Sequence, residues 1–423
     1  MTTTDAILAD LTAGRHRGVV VDAPPGAGKS TLVVDSAIRL DQKLMIVAQT
    51  NEQVDDLIDR LAGRAPSIRI GRLSSMDYRP SERVLKDNVT VGSRLVQLNE
   101  PQITIATAAK WGTLTDGTWE WAIVDEAYQM RSDALLRVAS RFERALFVGD
   151  PGQLDPFSTV GSSRWTGLSW DPLHSAVTVL LGHNPDLPVH RLPVSWRLPA
   201  SAASVVASSF YAVPFTSGTA ENDRRLELTP GGSSSVDQVI DVAAATGWGL
   251  YELPPRHTIR TDSEAANAVV DIACRLLARE PLSHSERGTH PVTGDRVAIG
   301  AAHRDQVAAI RTALAARLPD SGITVDTANR LQGREYDVTI VLHPLSGRRD
   351  ATAFHLEAGR LCVLTSRHRH SCIVVSRAGV VELLDAHPGT APVVLDAQVP
   401  FVDGWAAHHT MMAHFSVRTV TAQ

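Results

Sequence analysis

The chain has 423 residues and a formal net charge of −5, with 43% hydrophobic and 21% charged residues. That length allows two or three soluble domains with sizeable cores, and the charge argues against a globally basic nucleic-acid-binding surface. Its three cysteines lack C-x-x-C spacing, which argues against a zinc or iron–sulfur module and fits a reducing cytoplasm; no signal peptide and no membrane span is expected.

In chain order, Val19-Val20-Val21 reads as a strand that stops at Pro24-Pro25 and passes Gly26, Ala27, Gly28, Lys29, Ser30 and Thr31 into a helix. The pattern G-x-x-x-x-G-K-[ST] is met except that Ala23 stands in the first glycine position. Gly26 and Gly28 let backbone N–H groups converge on phosphate oxygens at the positive end of the helix. Lys29 supplies a charge toward the β and γ phosphates of ATP, and Ser30 a hydroxyl for Mg²⁺. Kinases, ATPases and GTPases all share such a cradle, so it names no reaction by itself.

Leu44–Ala48 reads as a buried strand, followed by a Thr50-Asn51 cap and a helix with Val54, Leu57, Ile58 and Leu61 on one face. Residues 64 to 100, with scattered arginines, read as a short solvated insertion or in part as the lining of a nucleic-acid path. Ile103–Thr107 is a strand, and Trp121–Glu126 is another that ends in two acids. Carboxylates at the carboxyl end of a parallel strand reach the crevice where such sheets bind ligands. Asp125 is then the candidate Mg²⁺ holder and Glu126 the group that polarises an attacking water. Ala145–Val148 completes five candidate strands before residue 160, the signature of a doubly wound α/β sheet.

Residues 157 to 191 read as connecting structure, 200 to 211 as a helix, and 212 to 260 as a loop-rich stretch with a flexible Pro230–Ser235 tract. Thr261 to Glu264 is expected to be a capping box for a helix with Val269, Ile272, Ala273 and Leu276 on one face. Strands at 296–300, 323–325, 337–342 and 371–375 then describe a second α/β unit without a phosphate loop.

Taken together, these segments resemble superfamily 1 helicases of the 5′-to-3′ branch. The resemblance rests on motifs in order: Ala23 to Ser30; Gln49-Thr50-Asn51; Asp125-Glu126-Ala127-Tyr128-Gln129; Gly149 to Leu154; Ser195 to Pro199; Val325 to Thr327 with Gln332 to Glu335; and Arg360 to Arg367. It implies an α/β fold of two tandem RecA-like P-loop NTPase domains with parallel sheets and the ATP site in the interdomain cleft. The domains would cover residues 1–198 and 199–386, followed by a C-terminal tail at 387–423.

By the same resemblance, Lys29, Asp125, Glu126, Gln153, Arg197 and Arg367 are catalytic, with Arg367 the arginine finger, Arg197 a second charge on the γ-phosphate and Gln153 its sensor. Trp196, Gln332, Gly333 and Glu335 join the nucleotide site, Glu335 at the ribose. Thr50, Asn51, Thr107, His303, Arg304 and Thr327 would touch nucleic-acid phosphates. Asp155, Trp196 and His303 depart from the family's proline, tyrosine and tyrosine, and no adenine-reading glutamine precedes the phosphate loop. The implied activity is an ATP-dependent, Mg²⁺-using helicase or single-strand translocase on DNA or RNA, cytoplasmic, monomeric and open to a protein recruiter. The alternative is an ATP-gated clamp that unwinds little.

Overall fold

Strands in the first half of the sequence are apolar on both faces, which a parallel sheet covered on both sides requires. The computed structural model describes residues 3–156, 165, 168, 171–172, 174–259, 261–386 and 404–423. It divides the chain into two compact units, one of residues 1–151 with 155–192, the other of residues 152–154 with 193–423.

The first unit contains β1 (Gly18–Asp22), β2 (Leu44–Ala48), β3 (Ile70–Leu73), β4 (Val89–Gly92), β5 (Ile103–Thr107), β6 (Trp119–Val124), β7 (Phe142–Gly149) and β8 (Val189–Arg191). They form one sheet in the order β4-β3-β5-β2-β6-β7-β1-β8, and every pairing is parallel. Side chains alternate between two cores: Val19, Val21, Leu44, Ile46 and Ile123 face one, while Val20, Met45, Val47, Ala122 and Val124 face the other. The 64–100 stretch is not merely a solvated insertion, because β3 and β4 extend the sheet at its edge. Residues 176–191 likewise hold more than connecting chain, namely the helix Ala176–His183 and strand β8. Residues 157–164, Trp170 and 387–403, which carry part of the sequence reading, lie outside the described residues.

The second unit begins with β9 (Val194–Ser195), β10 (Thr216–Ser217), β11 (Arg225–Glu227) and β12 (Trp248–Leu253). It continues through β13 (Leu282–Ser285), β14 (Gly288–Pro291), β15 (Val297–Ala301), β16 (Thr324–Thr327), β17 (Tyr336–Leu342), β18 (His368–Arg377) and β19 (Thr419–Thr421). A six-stranded parallel sheet runs β16-β15-β17-β18-β12-β19, and β11-β13-β14 form a separate antiparallel sheet. The stretch 212–260 is therefore not loop throughout. It contains the helix Ser235–Thr246, capped by the Ser234 hydroxyl, and the interior strand β12. The expected Thr261–Glu264 capping box is replaced by a single cap, the Asp262 carboxylate accepting from the Ala265 N–H. The described part of 387–423 supplies the helix Gly404–Phe415 and the edge strand β19 to this unit. Among the described residues no helix is long and apolar enough to cross a membrane. Both units are thus mixed α/β layers built on a parallel sheet.

Candidate nucleotide and nucleic-acid sites

In the first unit the cradle is built by the turn between β1 and the helix Lys29–Leu40. Gly26 and Gly28 have φ of 72° and 90°, a left-handed backbone that a side chain would strain. A Cβ on Gly28 would meet nothing within 4 Å, so the space over the helix N-terminus is open on the protein side. Lys29 reaches back over this turn: its Nζ lies 3.3 Å from the Ala23 carbonyl and 3.6 Å from an Asp150 carboxylate oxygen. Ser30 and Thr31 fall in the first turn of the same helix.

The two acids arrive from the carboxyl end of β6. The Asp125 N–H is held by the Val47 carbonyl at 2.8 Å, yet its Oδ1 is buried with no hydrogen-bond partner. Burial first, and the neighbouring Glu126 carboxylate second, push the Asp125 carboxyl well above its usual range, against the pull of Lys29. Glu126 is itself buried and adopts φ 48° and ψ 47°, a left-handed conformation that costs a glutamate on the order of 1 kcal/mol. An orphaned buried carboxylate oxygen beside an open phosphate cradle fits a hard divalent cation. Among the described residues no cluster of three or more His, Cys, Asp or Glu could hold a metal. Mg²⁺ keeps waters and phosphate oxygens in its shell and takes only one or two protein ligands, so it needs no such cluster.

The candidate nucleic-acid contacts of this unit follow β2 and β5, again at carboxyl ends. Their side chains also serve the local fold. The Thr50 hydroxyl accepts from the Gln53 N–H and closes a capping box for the helix Asn51–Arg64, and the Thr107 hydroxyl caps the short helix Ala108–Trp111. Each hydroxyl keeps its own O–H as a donor for a phosphate oxygen. Asn51 is tied down differently: its amide oxygen accepts from buried Arg72 at 2.9 Å, and Arg72 pairs with Asp55 at 3.1 Å and stacks over Tyr78. Asp155 is exposed, and desolvation by its surroundings raises its carboxyl above the usual range.

In the second unit the candidate nucleotide residues gather at the amino ends of β17 and β18. The Gln332 side-chain amide donates to the Gln153 side-chain oxygen at 2.8 Å, and Glu335 lies 3.4 Å from Arg197. Gly333, with φ 81° and open space where a Cβ would be, makes the turn between Gln332 and Glu335. Arg367 is fully buried, donates to the Ser366 hydroxyl at 2.7 Å, and accepts the Tyr336 N–H on its carbonyl. Trp196 is 59% exposed, and a Cβ on Gly218 would lie 2.4 Å from its ring, so that glycine gives the indole its place.

Three arginines and one acid at this edge were not singled out in the sequence. Arg369 bonds Glu286 at 2.7 Å and approaches Glu335 at 3.5 Å, Arg287 approaches Glu335 at 3.6 Å, and Arg224 holds Glu286 at 2.8 Å. Arg224 also donates to the carbonyls of Trp196 and Arg197. Its hydrogen bond, more than any other cause, brings Glu286 down to about 2. With Arg197, four guanidinium groups surround two carboxylates, so this edge stays positive at neutral pH. These residues come from five separate segments, so no local spacing marks them.

His303, Arg304 and Thr327 lie at the opposite, carboxyl edge of the sheet, after β15 and at the end of β16. Arg304 is exposed. The His303 ring stacks on Phe354 at 4.9 Å and its Nε2 meets that of His355 at 2.9 Å, so one ring nitrogen is already engaged.

No curated protein matches the chain. Among solved structures, an arterivirus nonstructural protein 10 helicase matches with 16% identity and a TM-score of 0.45, over 85% of this chain and 59% of that one. The same viral helicase in complex with DNA matches at 14% identity and a TM-score of 0.45, over 85% and 60% of the two chains. A PRRSV helicase matches at 15% and 0.45, over 94% and 61%. The chain thus spans about 60% of the length of these structures. Residues 175–379 match a family described as an AAA domain, AAA_12. That segment is just under half of the chain.

Proposed function

We propose that the protein is an ATP-hydrolysing helicase or single-strand translocase that moves 5′ to 3′ on DNA or RNA. The observation that carries this reading is the meeting of an open phosphate cradle, Lys29 and the buried Asp125–Glu126 pair at one carboxyl edge of a parallel sheet. Gly26 through Thr31 bind the phosphates, with Lys29 neutralising charge toward the γ-phosphate. Ser30 and Asp125 hold Mg²⁺, which when bound offsets charge on the phosphate oxygens. Glu126, kept beside the cradle by its left-handed backbone, orients a water and accepts its proton. Gln153, Arg197 and Arg367 are assigned to the γ-phosphate, Glu335 to the ribose, and Trp196 to the base, where an exposed aromatic face tolerates any base.

Support for nucleic acid as the second substrate comes from the carboxyl-edge residues Thr50, Asn51, Thr107, His303, Arg304 and Thr327. Hydroxyls, amides and one exposed arginine suit contacts to phosphate that carry no sequence information. The test is displacement of a labelled strand from duplexes bearing a 5′ or a 3′ single-stranded tail, with ATP and Mg²⁺. Displacement from the 5′-tailed duplex alone is expected. Displacement from the 3′-tailed duplex reverses the direction, and ATP-dependent strand binding without displacement turns the reading to a clamp.

A further inference from the structure

The carboxyl ends of the six-stranded sheet form a row in strand order, β16, β15, β17, β18, β12. Thr327 stands at the end of β16 and His303 after β15. The next loops in the row carry no motif. The loop after β17 brings Arg348 and Arg349, and the loop after β12 brings Arg256 and His257. Together with Gly379 after β18 they line an open cavity of about 370 Å³. Its floor is apolar, from Leu345, Val380 and Leu383, and one acid, Glu382, lies among the lining residues.

This wall is held in place before any ligand arrives. The Thr258 N–H donates to the Gly347 carbonyl at 2.8 Å, and Arg348 donates to the Ile259 carbonyl at 2.7 Å, so the two basic loops bind each other. Gly347 has φ 69°, and a Cβ there would lie 2.7 Å from the Thr258 hydroxyl, so a side chain would pry the loops apart. Buried Arg377 ties the floor to both, through the Ser346 hydroxyl, the Pro254 carbonyl, Asp262 and Glu264. Arg256 shares those last two carboxylates, at 3.4 and 2.9 Å, which offsets its charge. Arg348 and the exposed Arg349 are therefore the principal cations. Arg348 is also felt at the neighbouring end of β15: burial first, and its guanidinium next, hold His303 and His355 below the ordinary imidazole range.

We propose that this pocket is a further nucleic-acid subsite, in which Arg348 and Arg349 hold backbone phosphate and the apolar floor takes the sugar of the same strand that passes His303 and Thr327. The inference rests on the translocase reading above. An open basic rim over an apolar floor suits a sugar–phosphate chain, whose charge and sugar alternate along its length. From β15 to β12 are three strand spacings of about 4.8 Å, roughly 14 Å in all. At a stacked rise of about 3.4 Å per nucleotide, that adds roughly four nucleotides to the contacted length.

The test is fluorescence anisotropy of the full chain with labelled oligothymidylate and oligouridylate of about 6 and about 20 nucleotides over a salt series. The double variant Arg348→Ala/Arg349→Ala is expected to bind the long strands about tenfold more weakly and the short ones nearly as wild type does. Its slope of log affinity against log salt should be shallower by about 1.4, two single-strand phosphate contacts. Arg348→Lys/Arg349→Lys should retain most of both. Because Arg348 also braces a loop, Arg349→Glu serves as the second variant if the double variant melts early, and it should weaken long-strand binding by a similar factor. Unchanged affinity and slope in these variants overturn the subsite while leaving the functional reading intact. No binding of any strand by the wild type overturns both.

Discussion

Removing Arg72 should destabilise the first unit strongly, although the stretch around it reads in the sequence as a solvated insertion. Its guanidinium is fully buried and lies 3.1 Å from the Asp55 carboxylate, which is 5% exposed, and the Tyr78 hydroxyl bonds the same carboxylate at 2.6 Å. At an effective dielectric of about 20, two unit charges at that separation attract by about 5 kcal/mol. Arg72→Met deletes this attraction and leaves a desolvated carboxylate behind, for which deletion costs of about 3–5 kcal/mol are usual. For a unit of this size each kcal/mol lowers the midpoint by about 2–4 °C, so a drop on the order of 10 °C is expected. Differential scanning calorimetry of the first unit's transition measures it. The double change Arg72→Met/Asp55→Leu should recover much of the loss, since an apolar pair of similar size replaces the ion pair. The same variant should weaken single-strand binding, because Arg72 holds the Asn51 amide oxygen. A midpoint within about 3 °C of wild type, or no recovery in the double variant, would refute the reasoning.

Three further outcomes are expected. Lys29→Ala removes the charge poised over the cradle and should weaken ATP binding about 100-fold, close to 2.7 kcal/mol, as read by calorimetric titration. Gly359→Ala would place a Cβ 2.5 Å from the Gln153 carbonyl oxygen, backbone that no rotamer change can clear. It should displace the Gln153 segment, slowing hydrolysis while ATP affinity stays within about threefold, and an unaltered rate would count against Gln153 as a γ-phosphate contact. Burial, the largest cause at each, holds His355 and His370 down at about 4 and His368 and His408 at about 3, from 6.5. Depressed folded values mean that the unfolded chain takes up protons first, so this contribution is complete above pH 6.5 and drains as pH falls toward 4. Each ring contributes up to about 1.4 kcal/mol per pH unit. Urea midpoints of the second unit should fall steeply between pH 6.5 and 4; a flat profile would show these rings accessible.

What was legible in the sequence is what is local. The β1 strand, the turn through Gly28 and the helix from Lys29 are contiguous, and the apolar runs of β2 and β5 match the observed strands residue for residue. β3 was hidden because its four residues include Gly71 and Arg72. Both are explained only by tertiary neighbours: Pro101, 2.6 Å from where a Cβ on Gly71 would lie, and Asp55 on the helix before. The helix Ser235–Thr246 is masked in the sequence by the Gly-Ser tract that leads into it, of which Ser234 is the cap and Ser235 the first helical residue. The arginine and glutamate cluster around Glu286 and Glu335 could not be read at all, because its charges meet only once β13, β14, β17 and β18 are in register.

The most direct measurement is the rate of ATP hydrolysis by the full chain with Mg²⁺, with and without single-stranded DNA or RNA. The account predicts a low basal rate, raised at least about tenfold by single strands and abolished in both conditions by Glu126→Gln. A rate that single strands leave unchanged, or one that survives Glu126→Gln, would contradict it.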